Sequence, residues 1–196
     1  GNLFNQKGVI VIPVNDFFDS HVGDGIIDHK SIHGQFIQTF FKDRVKELDD
    51  KITASLKSQG LQGVEVAPRI NSKNMKFSLG DCADVMDGEN RYVCVVTTEF
   101  DADNIARLTR DKLSTVVNGL FNHLELVAGR DMVSMPVIGA GNARLDRDPE
   151  RILHYLIDYF DFSIEKKILG GVKVMIPSAK TINLGRIASF FNNKYV

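Results

Sequence analysis

Gly8 to Val14 reads GVIVIPV, a run of β-favouring apolar residues with no polar alternation. That pattern predicts a central strand covered on both faces. A polar stretch rich in Asp and Gly follows, Asn15 to Lys30, and reads as a loop. Ser31 is placed to cap a helix carrying Phe36, Ile37, Phe40 and Phe41. Asp43 to Gln59 shows helical spacing through Val45, Leu48, Ile52 and Leu56, with Gly60 as its stop. Leu61 to Lys73 reads as irregular chain or a short strand. Met75 to Gly80 and Arg91 to Thr98 read as two strands joined across a turn at Asp87-Gly88. Asp103 to Ala128 predicts a long amphipathic helix with Ile105, Leu108, Leu113, Val116, Val117, Leu120 and Leu124 on its apolar face. Met132 to Ile138 predicts a strand, Pro149 to Phe160 a helix, Val172 to Pro177 the last strand and Leu184 to Phe191 the last helix. Strands alternating with helices predict a three-layer α/β fold, and the hairpin-like pair makes its central sheet mixed, flanked by helices.

The 196 residues suit one domain, taken as 1–196, and 43% apolar residues suffice for a substantial core. Lys and Arg (24) nearly balance Asp and Glu (25). No broad basic field exists, which argues against duplex nucleic acid as the main partner. Cys82 and Cys94 lack CxxC spacing and read as reduced thiols in or near the core. The longest apolar run, Val9 to Val14, has strand length and cannot span a bilayer. The chain begins at Gly1 without an initiator Met, which suits a domain excised from a longer parent.

Two segments suggest binding chemistry. After the strand ending at Ile138 comes Gly139-Ala140-Gly141-Asn142-Ala143-Arg144, and Asp148-Pro149-Glu150 starts the next helix. Two glycines around a small residue let the backbone turn several N–H groups towards one point, which suits phosphate oxygens. A tight turn with no ligand is the alternative. A dinucleotide fingerprint would need glycine where Arg144 stands, or, for Gly23-Asp24-Gly25, where Asp28 stands, and the chain has no P-loop GKS or GKT. The second segment is Pro13-Val14-Asn15-Asp16-Phe17-Phe18-Asp19, at the carboxyl end of the first strand, where open α/β sheets bind ligands. It leads to Ser31-Ile32-His33-Gly34-Gln35, whose helix-start amides form a second anion site. There His33 is a ligand-contact candidate and Gly34 removes bulk. Together the two loops would clamp a diphosphate. His21, His29 and His33 with Asp19, Asp24 and Asp28 lack metal-site spacing, and a solvated polar loop is favoured over a metal site. Phe17 and Phe18 read as core plugs rather than base-stacking rings. No nucleophile–His arrangement follows from spacing.

With these motifs the chain resembles a macro domain, the ADP-ribose-binding α/β fold. Gly1-Asn2-Leu3-Phe4 is similar to the macro-domain opening, Val14-Asn15 to the end of its first long strand, and Pro136-Val137-Ile138-Gly139-Ala140-Gly141 to its phosphate loop. Ile12 to Asp19 and Ser31 to Phe36 resemble more closely the macro family of Thoeris anti-phage effectors, the ThsA type. The resemblance implies a sensor of an ADP-ribose-derived signal that a partner TIR enzyme makes from NAD. In the membrane-anchored branch the ligand would be a histidine–ADP-ribose conjugate, with no cofactor. The domain would lie on the cytoplasmic side, tethered to the inner membrane face through segments of the parent, and could self-associate on activation.

The resemblance also implies roles for residues. Asn2 would accept from the adenine amino group and the Leu3 N–H would support the ring. Ser31, Ile32, His33 and Gly34 would hold the diphosphate with Gly139, Ala140, Gly141, Asn142, Ala143 and Arg144. Pro177 and Ser178 would border adenine. Hydrolytic macro domains carry an Asn at the position of Phe18, so the resemblance favours binding without turnover. Acidic groups from Asp16 to Asp28 would read a conjugated amine. The alternative is an ADP-ribosyl or O-acetyl-ADP-ribose hydrolase using Asn15, Asp16 and Asp19, with Asp19 as base. A plain interaction or RNA-binding module is disfavoured by the charge balance and by the lack of interleaved aromatic and basic residues.

Overall fold

The computed structural model describes residues 1–101, 105–139, 145, 149–162, 168–176, 183 and 185. In chain order the elements are β1 Val9–Asn15, α1 Ile32–Phe40, α2 Val45–Ser58, β2 Val64–Glu65, β3 Met75–Lys76 and β4 Cys82–Asp87. They continue with β5 Asn90–Phe100, β6 Ala106–Arg107, α3 Arg110–Val127, β7 Val133–Pro136, α4 Pro149–Phe162 and β8 Val172–Met175. Among the described residues six strands form one mixed sheet in the order β4-β5-β1-β7-β8, with β6 beside β5. The pairs β5–β1, β1–β7 and β7–β8 are parallel, whereas β4 and β6 run antiparallel to β5.

β1 is apolar on both faces because both are covered. Ile10, Ile12 and Val14 pack with Phe36 and Ile37 of α1 and Leu48, Ile52 and Leu56 of α2. Val9 and Val11 point the other way, among Val116, Val117, Leu120 and Leu124 of α3 and Ile152 and Leu156 of α4. Three layers result, as the apolar pattern predicts. Cys82 packs on the second face and Cys94 on the first, both buried and free. Burial pushes the Cys94 thiol up to about 12 and that of Cys82 well above its ordinary range.

Two expected elements differ. The strand paired with β5 is Cys82–Asp87, not 75–80. Asp87 pairs with Asn90, so Gly88-Glu89 is a two-residue hairpin loop and the partner strand must directly precede it. Of 75–80 only Met75–Lys76 is extended, in a separate ribbon with β2. The long helix starts at Arg110 rather than Asp103, which lies outside the described residues. Ala106 and Arg107 pair with Phe100 and Glu99, so sheet hydrogen bonds override the helical spacing of Ile105 and Leu108. Leu108 is still buried against α3. The expected last helix, 184–191, lies outside the described residues except for Gly185. No described helix is long and apolar enough to cross a membrane.

Candidate functional site

The parallel strands β1, β5, β7 and β8 all end at one edge of the sheet. The chain leaves β1 towards the α1/α2 face, while β5 and β7 lead to α3 and α4 on the other face. Neighbouring strands whose connections leave on opposite faces open a crevice, the usual ligand position in such sheets. Pairing between β1 and β7 stops after Ile10–Ser134, whereas β1 and β5 stay paired to Asn15. Pro13, which has no N–H to give a second neighbour, falls in this stretch of β1 that β7 no longer pairs. β1 and β7 therefore cease to be paired before the carboxyl edge.

At the end of β1 the register with β5 shifts between Val14 and Asn15, with Thr97 of β5 as the extra residue, and Asn15 stays paired with Thr98. Asn15 is buried, and its Oδ1 accepts the Phe17 N–H at 3.1 Å and the Asp19 N–H at 3.2 Å. Its Nδ2 donates to Asp19 Oδ2 at 3.0 Å. Asp19 is buried, with Oδ1 accepting from Ser72 Oγ and the Lys73 N–H, each at 2.8 Å. The Arg69 guanidinium lies 3.7 Å from Oδ2. A carboxylate so occupied positions the loop and is not open as a base. Asp16 is fully buried. Its Oδ1 accepts the Phe100 N–H at 3.1 Å, and Lys76 Nζ lies 3.2 Å from Oδ2, an ion pair rather than an aligned hydrogen bond. Burial raises the Asp16 pKa, opposed by the Phe100 N–H and by Lys76. Phe18 is a core plug as expected, edge-on to Phe77 at 5.3 Å between centroids. Phe17 is also buried and carries the Arg69 guanidinium 3.9 Å over its ring.

Ser31 caps α1 as expected: its Oγ accepts the Gly34 N–H at 3.0 Å and donates to the Asp28 carbonyl at 2.6 Å. The amides of Ile32 and His33 are not taken by this cap, and they carry the positive end of the helix dipole. Gly34 serves a different purpose from the one expected. A Cβ there would meet the Asp28 carbonyl oxygen at 2.3 Å, so its bareness admits the loop backbone and not a ligand. His33 is buried, and desolvation, aided by the Lys73 charge, lowers its pKa to about 3 against a hydrogen bond to the Asp19 backbone. It is neutral at pH 7, so it shapes the helix start without adding charge for a phosphate.

Gly139, after β7, has φ +87° as the turn requires, and a Cβ there would meet Leu145 Cδ2 at 2.8 Å. Ala140, Gly141, Asn142, Ala143 and Arg144 lie outside the described residues, as do Pro177 and Ser178. Asn2 is exposed, and its Oδ1 already accepts the Phe4 N–H at 2.9 Å, capping the short 3-10 turn Leu3–Asn5, in which Leu3 is buried. His21 pairs with Asp24 at 2.9 Å, and among the described residues no His, Cys, Asp and Glu side chains gather as a metal site. Arg69, Ser72, Lys73 and Lys76, which secure the loop after β1, were not among the expected site residues; the first three lie in a stretch that reads as irregular chain or a short strand and Lys76 in one that reads as a strand.

The family model described as Thoeris protein ThsA, Macro domain, matches residues 1–177. A Thoeris protein ThsA from Bacillus amyloliquefaciens (strain Y2) is 27% identical over 203 residues, covering 98% of this chain and 66% of the relative. The chain thus spans just under two thirds of that protein's length. Among solved structures, a point variant of the Oceanobacillus iheyensis macrodomain superposes with a TM-score of 0.64 at 13% identity, covering 100% of this chain and 91% of the other. Another variant of that macrodomain, solved with ADPR, gives 0.61 at 16% identity, covering 96% and 88%. Macrodomain structures thus share this fold.

Proposed function

Because the chain belongs to the macro-domain family of the Thoeris protein ThsA, we propose that it is the sensor of an anti-phage effector and binds an ADP-ribose-derived signal at the carboxyl edge of its sheet. One observation carries this reading: β1 and β7 stop pairing short of the edge at which the chain turns towards the α1 start and through Gly139. The Ile32 and His33 amides, with the residues from Gly139 to Arg144, would take the diphosphate. That a related macrodomain was solved with ADPR supports the same ligand class.

Binding without turnover is the favoured mode. Phe18 fills the core where hydrolytic relatives of the family would carry an Asn, and the Asp19 carboxylate is committed to Asn15, Ser72 and Lys73. With Asp16 and Asp19 buried and paired, the exposed carboxylates of the loop are Asp24 and Asp28, and these would face the amine of a histidine–ADP-ribose conjugate. A TIR enzyme would supply the signal, and the parent protein would carry the output, through self-association or a membrane tether.

Isothermal titration with ADP-ribose tests the edge. A saturable one-to-one isotherm is expected, with ADP-ribose recovered intact after prolonged incubation. Gly141→Leu should abolish binding while cooperative unfolding persists. Normal binding by that variant would show the phosphate loop to be wrongly assigned. ADP-ribose consumed over many turnovers would replace the sensor reading with the hydrolase.

A further inference from the structure

The loop from Asp16 to Lys30 has no strand or helix of its own, yet it holds a bulky residue in a left-handed conformation, Phe18 at φ +47°. Such a backbone persists only where its surroundings over-determine it. β5 and α2 each supply one contact, the Phe100 N–H to Asp16 and Asp49 to Ser20, and a larger set of contacts comes from one distant segment. Ser72 Oγ and the Lys73 N–H grip Asp19, Lys73 Nζ donates to the Phe18 carbonyl at 2.6 Å, and the Phe77 N–H donates to the Asp16 carbonyl at 2.7 Å. Farther along, Asn71 Nδ2 reaches Asp24 Oδ2 at 3.2 Å. Arg69 is tied to the same strap, donating to Ser72 Oγ at 2.6 Å while its guanidinium covers Phe17.

We propose that segment 69–77 is a strap that presets the loop after β1 for ligand binding, with Ser72 and Asp19 as its central positioning pair. For the ligand this rests on the ADP-ribose reading; for the loop it rests on the contacts alone. Ser72 is a positioning residue. It acts through Asp19, which holds Asn15, which in turn holds the amides of Phe17 and Asp19. A loop that visits its binding shape only a fraction of the time weakens apparent affinity by that fraction. Removing the hydroxyl should therefore cost affinity before it costs the fold.

The test compares the wild type with Ser72→Ala and Ser72→Thr by amide hydrogen exchange, ADP-ribose titration and ligand-free thermal unfolding. In Ser72→Ala, exchange at the Phe17 and Asp19 amides should quicken and the ADP-ribose Kd should rise about tenfold. Exchange in β1 and β5 and the ligand-free midpoint should stay unchanged, and Ser72→Thr should restore both loop protection and affinity. Lys76→Met, which releases Asp16 from a partly exposed lysine, should produce the same paired change. Unchanged loop exchange in Ser72→Ala overturns the strap. Faster loop exchange with unaltered affinity overturns its link to binding. Faster exchange throughout the sheet makes Ser72 merely structural and also overturns it. A wild type that ignores ADP-ribose removes the functional reading, and loop exchange alone then decides the strap.

Discussion

At the residue scale, Gly34 and His33 sit side by side in the first turn of α1, and each does something other than its sequence context suggests. A glycine at a helix start invites an anion-binding reading, but the space a Cβ would need holds the Asp28 carbonyl oxygen. Gly34→Ala should destabilise the fold by about 1–3 kcal/mol in urea titration, since backbone rather than a flexible side chain must give way. Ser31→Ala should cost about 1 kcal/mol in the same assay, because only the cap bond to the Gly34 amide and its return bond to Asp28 are lost. His33 has a folded pKa near 3 against an unfolded value of 6.5. Between these values the unfolded chain binds more protons. Its contribution is therefore full above pH 6.5 and is lost as pH falls towards 3. Asp16, with a raised pKa, opposes this: the folded state holds its proton longer, so its effect on stability declines as pH rises past 3.8. Urea midpoints from pH 3.5 to 7 should rise with pH in the wild type and rise less in His33→Gln. An equal slope in that variant would mean that His33 is not the neutral buried group described.

Elements were legible where apolar spacing and burial agree. β1, α1, α2, β7 and α4 stand close to where the pattern puts them, because β1 buries both its faces and each of the others a face or stripe in the two cores. The hairpin and the start of α3 were misplaced because non-local pairing decides them. The register of Asp87 with Asn90 makes Cys82–Asp87 the strand, and pairing with β5 holds Ala106–Arg107 extended. In the site, Asn15 and the Ser31 cap could be read from local chemistry. The strap could not, since Ser72 and Asp19 are 53 positions apart and nothing near either residue announces the other. Two measurements address this scale. Ile12→Ala, in the middle of β1 and fully buried, should lose about 2–5 kcal/mol of stability. Cys82 and Cys94, on opposite sheet faces with raised thiol pKa values, should react with a thiol reagent at pH 8 only as fast as the chain unfolds. Rapid labelling under native conditions would contradict their burial.

For the whole molecule, the two helical layers and the parallel strand ends have one joint consequence: the chain leading to the α1 start and the turn at Gly139, which the proposed diphosphate site uses, follow strands that end at one edge. With a near-neutral charge, the proposed binding there would depend on oriented amides rather than on a basic field. The most direct test is thermal unfolding with ADP-ribose, NAD and histidine–ADP-ribose, followed by mass spectrometry of the recovered ligand. At a hundredfold excess over Kd, a ligand specific to the folded state adds about 2.7 kcal/mol and should raise the midpoint by roughly 5–10 °C for a chain of this size. Such a shift is expected with an ADP-ribose derivative, largest for the histidine conjugate, and with the ligand recovered whole. No shift with any of the three would contradict the proposed binding.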